Sequence, residues 1–124
     1  MRTKRLCACD GQNLDRLLQP TVMGLLASGP RHGYALVAEL SESPLMGGAK
    51  PNDTGVYRLL AVLEEQDLVT HQVEESDEGR SKRVYELTPL GWTCLDKWII
   101  TLDAYGKAVG QVTEFLRERG RRED

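Results

Sequence analysis

Apolar residues recur at helical spacing through the first half of the chain, then at alternate positions in a short stretch after it. Leu14, Leu17 and Leu18 open the pattern. Pro20 lacks the N–H a helix interior needs, so it is expected to break this run and restart a helix with Val22, Leu25 and Leu26 on one face. The turn Ser28-Gly29-Pro30 ends that helix. From Gly33 the apolar positions Leu36, Val37 and Leu40 predict a second helix, closed by Ser43-Pro44, and Leu45 to Pro51 with Gly47-Gly48 reads as a loop. Asn52 or Asp53 can then cap a third helix with Val56, Leu59, Leu60 and Leu63 along one face. Its other face carries Tyr57, Arg58, Ala61, Glu64 and Glu65.

After Asp67 the period shortens to that of a strand. Val69, His71 and Val73 alternate with Thr70, Gln72 and Glu74, and Arg83, Tyr85 and Leu87 alternate with Val84 and Glu86. A two-stranded antiparallel hairpin is predicted, its tip at Glu75 to Lys82 too polar to pack. Three helices followed by a hairpin is the order of a winged helix-turn-helix, in which the third helix reads DNA and the hairpin is the wing.

Thr88 and Pro89 start a long helix, the threonine as cap and the proline at the first helical position, with Leu87 placed to staple onto Trp92. Along it Leu95, Trp98, Leu102, Tyr105, Val109, Val112 and Leu116 alternate in steps of three and four, the seam of a coiled coil. A preceding domain this small cannot cover the whole of such a helix, so the seam predicts a homodimer. Gly106 and Gly110 lie one helical turn apart, a spacing that permits close helix approach. The fold class expected is mainly α with a small antiparallel β-hairpin. Residues 1–11 form an N-terminal arm, 12–87 a winged-helix domain, 88–118 a dimerisation helix and 119–124 a disordered tail.

Composition sharpens this in one respect. The net charge of the 124 residues is −3, which excludes a uniformly basic nucleic-acid binder. Residues 1–58 nevertheless carry seven Lys/Arg against five Asp/Glu, while residues 59–87 carry three against eight. The basic residues group as Arg2, Lys4 and Arg5, as Lys50 and Arg58, and as Arg80, Lys82 and Arg83, so phosphates can be met by local patches. No apolar run is long enough for a membrane helix or a signal peptide, and the odd set Cys7, Cys9 and Cys94 has no disulfide-scaffold spacing. A cytoplasmic protein without membrane partners is expected.

The order of motifs resembles the PadR family of bacterial transcriptional regulators. The resemblance is carried by Leu25-Leu26-Ala27-Ser28-Gly29-Pro30-Arg31-His32-Gly33-Tyr34, by Asp53-Thr54-Gly55-Val56-Tyr57-Arg58-Leu59-Leu60 with Leu63-Glu64-Glu65-Gln66-Asp67-Leu68-Val69, and by Arg83-Val84-Tyr85-Glu86-Leu87-Thr88-Pro89-Leu90-Gly91. It implies a winged-helix repressor, dimeric through its C-terminal helix, on an inverted repeat near a promoter. The Cys7-Ala8-Cys9 leader and the acids Glu74, Glu75, Asp77 and Glu78 in the hairpin depart from the family pattern.

The residues also support a DNA reading directly. The third helix offers unpaired N–H groups and a side-chain-free Gly55 to a phosphate, with Asp53, Thr54, Tyr57 and Arg58 on or beside its exposed face. Arg80, Lys82 and Arg83 can follow with the wing. Tyr57 packing against the hairpin and Gly55 fitting beside the second helix are the structural alternatives. His32 reads as turn chemistry and His71 as ordinary surface or packing.

No catalytic constellation, glycine-rich phosphate loop or cofactor motif is present, so neither an enzyme nor a cofactor is expected. Cys7 and Cys9 are two thiols without a complete ligand set, hence no metal site; a thiol- or metal-sensing regulator is the alternative that would use them. A small-molecule effector could stack on Trp92 or Trp98, which otherwise read as dimer core. The competing class of function is a winged-helix module that binds protein and not DNA.

Overall fold

The computed structural model describes residues 17–43, 45, 52–75, 79 and 81–120. Leu14, the basic arm, Cys7, Cys9, Lys50, Asp77, Glu78, Arg80 and the last four residues lie outside them. The element order is α1 (Leu18–Ala27), β1 (Arg31–His32), α2 (Gly33–Glu42), α3 (Asp53–Glu65), β2 (Val69–Glu75), β3 (Ser81–Leu87) and α4 (Pro89–Gly120). This is the expected winged helix-turn-helix with a long C-terminal helix.

Two local expectations are corrected. Pro20 does not break α1 but sits in its first turn, where leading N–H groups lack intrahelical acceptors and a missing donor costs nothing. The sheet has three strands, not two: β1 pairs antiparallel with β3, Arg31 opposite Tyr85 and His32 opposite Val84, giving the order β1-β3-β2. The expected hairpin is present and pairs from Val69 opposite Leu87 to Glu75 opposite Ser81, so both strands run farther toward the tip than their apolar alternation does.

One core unites the elements. Val22, Met23 and Leu26 from α1 meet Leu36 and Leu40 from α2, Val56, Leu60 and Leu63 from α3, and Leu68, Val69, Tyr85 and Leu87 from the sheet side. Met23 is fully buried where Leu25 is only partly so. The reason is that α1 packs against α2, α4 and β3 together, which widens its buried arc beyond one stripe.

The joint between α3 and α4 is tightly specified. Asp67 takes φ 62° at the end of α3. Around it the Leu68 N–H donates to Leu63 O at 2.9 Å and the Asp67 N–H to Glu64 O at 3.0 Å, the paired bonds of a Schellman cap. The Thr88 hydroxyl donates to Asp67 O at 2.6 Å and accepts from the Gly91 N–H at 2.9 Å, so one side chain ties the end of the third helix to the start of the fourth. Gly91 is buried there against the Leu68 carbonyl.

The stripe along α4 divides. Leu95 and Trp98 pack against the core of their own domain, and Leu102 lies beside Leu17, Pro20 and Thr21 at the start of α1. Beyond that point Tyr105, Val109, Val112 and Leu116 are exposed in the single chain, as are Ile99, Ile100 and Phe115. No described helix is long and apolar enough to cross a membrane.

Candidate nucleic-acid interface

The start of α3 is built by its cap. Asn52 Oδ1 accepts from the Gly55 N–H at 2.7 Å, satisfying one leading donor, and Asp53 places an acid in the first turn where it complements the helix dipole. Gly55 does not fit against α2 as one expectation had it: a Cβ there would meet only Asn52 Oδ1, at 3.1 Å, so the glycine makes room for the cap. Thr54, Tyr57 and Arg58 are exposed on the face away from Val56, Leu60 and Leu63.

Tyr57 is 44% exposed, and the inner edge of its ring is the part the fold covers. Its ring lies against the backbone of Gly33 at the start of α2, and together with His32, Tyr34, Lys82, Arg83 and Tyr85 it lines a cleft of about 330 Å³. The cleft therefore joins the recognition helix, the first turn of α2 and the base of the wing. Burial pushes the Tyr57 phenol above its ordinary value of 10.0, with Asp53 and then Tyr85 adding to the effect, so at neutral pH the hydroxyl remains a hydrogen-bond donor.

The cations on this side are open. Among the described residues no carboxylate lies within ion-pair distance of Arg58, Lys82 or Arg83, whereas Arg31 is committed to Glu39 at 2.5 Å. Lys82 Nζ instead stands 5.2 Å above the ring centroid of Tyr34. His32 stacks on that same ring at 5.4 Å and 14°, and its Nε2 lies 3.6 Å from Glu74. His71, half-buried, contacts Glu64 at the far end of α3 and tilts against Tyr85. It fastens the recognition helix to the wing.

Of the residues expected to meet DNA, the fold brings Tyr57, Lys82 and Arg83 together; Arg58, Thr54 and Asp53 follow along the same helix, and Arg80 is outside the described residues. Tyr34 and His32 join them in the cleft, unexpected from the sequence. Their signal was present in an aromatic pair flanking Gly33 at a helix start, where small and polar residues are commoner. Trp92 is exposed at the start of α4, Trp98 leans on the core, and neither lines the cleft. Cys94 is a free, partly buried thiol, and among the described residues no group of three or more His, Cys, Asp or Glu is placed to hold a metal ion.

A recognition helix capped at its start, a wing with open cations and a helix-turn-helix core define a winged-helix regulator that binds DNA. The model of the transcriptional regulator PadR-like family matches residues 22–97, and the chain belongs to that family. No curated protein matches the sequence. Solved structures with the same fold include a PadR-like transcriptional regulator from Bacillus cereus, 19% identical, with a TM-score of 0.69 over 82% of this chain and 96% of that one. A PadR family transcriptional regulator from Eggerthella lenta is 23% identical, with a TM-score of 0.69 over 86% and 92%. One from Clostridium difficile is 17% identical, with a TM-score of 0.69 over 78% and 98%.

Proposed function

We propose that this protein is a homodimeric transcriptional repressor of the cytoplasm that binds an inverted-repeat operator and is released by a small-molecule effector. The observation that carries the DNA surface is the shared cleft, which places Tyr57 of the recognition helix beside Lys82 and Arg83 of the wing, neither cation within ion-pair distance of a described carboxylate. In this reading Thr54, Tyr57 and Arg58 enter the major groove from the capped start of α3, and Lys82, Arg83 and Arg80 follow the adjacent backbone. Asp53 acts through the helix start and not on a phosphate, which its own charge would repel.

The dimer rests on α4. The stripe Tyr105, Val109, Val112 and Leu116 continues the line of Leu95, Trp98 and Leu102 after the helix has left its own domain, and a second copy would cover it. Residues 12–87 then serve as the DNA-binding unit and 88–118 as the dimerising one. Trp92 and Trp98, near the junction of the two, are the aromatic surfaces offered to an effector. The test is a footprint of the protein across its own genome, followed by gel shift on the recovered site. Protected half-sites related by a two-fold axis and spaced by whole turns support the proposal, and the absence of protected sites contradicts it.

A further inference from the structure

Tyr34 belongs to neither the recognition helix nor the wing, yet it touches the part of the wing that faces DNA in the reading above, on which this inference rests. We propose that Tyr34 is a positioning residue for DNA binding: its ring holds the Lys82 ammonium ready to meet a backbone phosphate. Three observations meet at this ring. Lys82 Nζ lies 5.2 Å from its centroid, within cation–π range. The imidazole of His32 stacks on it at 5.4 Å and 14°, which fixes the plane the ammonium rests on. Tyr34 is itself 55% exposed, so it contributes little to the core and its position needs another explanation.

The alternative partner makes the point. Glu74 stands directly across the ladder from Lys82 and could neutralise it, but the contact Glu74 makes is with His32, at 3.6 Å. A carboxylate would spend the charge that a phosphate needs. An aromatic face orders the flexible lysine stem, sparing part of the entropy lost on binding, while leaving the charge and the N–H donors free. The first turn of α2 sits beside it and lines the same cleft.

The experiment uses the full-length protein and a mixed-sequence DNA duplex, with binding followed by fluorescence anisotropy as salt is raised, for wild type, Tyr34→Leu, Tyr34→Phe, Lys82→Met and the Tyr34→Leu/Lys82→Met pair. Leucine keeps apolar bulk and removes the π face; phenylalanine keeps the face and removes the hydroxyl. Tyr34→Leu and Lys82→Met should each weaken binding about fivefold. Lys82→Met should also lower the salt slope by about 1, Tyr34→Leu, which keeps the charge, should leave it near the wild-type value, and the double variant should lose no more than Lys82→Met alone. Tyr34→Phe should match wild type, and melting temperatures should stay together. Additive losses, or a Tyr34→Phe as weak as Tyr34→Leu, would overturn the inference while leaving the DNA reading intact. Wild-type protein that shows no salt-dependent binding overturns both.

Discussion

The ring of Tyr57 occupies the space a side chain at position 33 would need: a Cβ on Gly33 would stand 2.5 Å from Tyr57 Cε1. The first helix of the helix-turn-helix thus begins with a glycine because the second lays an aromatic across its start. The obstacle is the edge of a half-exposed ring, which can swing outward. Gly33→Ala should therefore cost less than about 1 kcal/mol of stability while moving Tyr57 out of the cleft. Chemical denaturation should separate it little from wild type, and duplex affinity should fall.

Gly91 presents the opposite case. Its missing Cβ would lie 2.1 Å from the carbonyl oxygen of Leu68, and backbone in a capped joint has nowhere to go. Gly91→Ala should destabilise the domain by about 1–3 kcal/mol, because α4 must lift from Leu68 and strain the Thr88 bridge. The expected readout is a clear drop in the urea midpoint, and a midpoint equal to wild type would show the joint to be looser than described.

Asp67 carries the one described non-glycine φ in the left-handed region, at 62°. An L side chain there costs about 1–2 kcal/mol, part of which glycine recovers against its larger unfolded-state entropy. Asp67→Gly should raise stability by about 0.5–1 kcal/mol, since the Thr88 bond goes to the backbone carbonyl and survives. Thermal melts of the two proteins check this.

Much of this architecture is legible in the chain because each helix face is a repeat of large aliphatics. Leu36 and Leu40, or Val56, Leu60 and Leu63, stand at the spacing that a packed helix requires, and Thr88-Pro89 announces α4 by cap chemistry. The features that were not legible depend on partners distant in sequence. Arg31-His32 becomes a strand only because β3 offers it an open edge, and two residues carry no period. Pro20 reads as a break until the first residue of its helix is known. The cleft is harder still, since Tyr34, Tyr57 and Lys82 meet only after three elements have folded, and nothing in their spacing encodes a cation above a ring.

A two-fold seam along α4 would depend on the exposed end of its stripe. Val109 lies 47% exposed on the stripe beyond the last contact with the domain, so Val109→Asp should leave the monomer fold unchanged. In a two-fold seam the same change buries two like charges against each other, at a loss of several kcal/mol. Sedimentation should report a monomer with a wild-type circular dichroism spectrum. A variant that stays dimeric at micromolar concentration would place the interface elsewhere.

In the proposed function α3 and the wing bind DNA through Arg58, Lys82 and Arg83. This is tested most directly by the affinity of wild type and Arg58→Ala for the footprinted site across a salt series. Wild type should bind with a steep negative salt dependence, and Arg58→Ala should lose about 1–3 kcal/mol with its fold intact. Equal affinity of the two proteins, or binding by wild type that ignores salt, would exclude DNA binding through these cations.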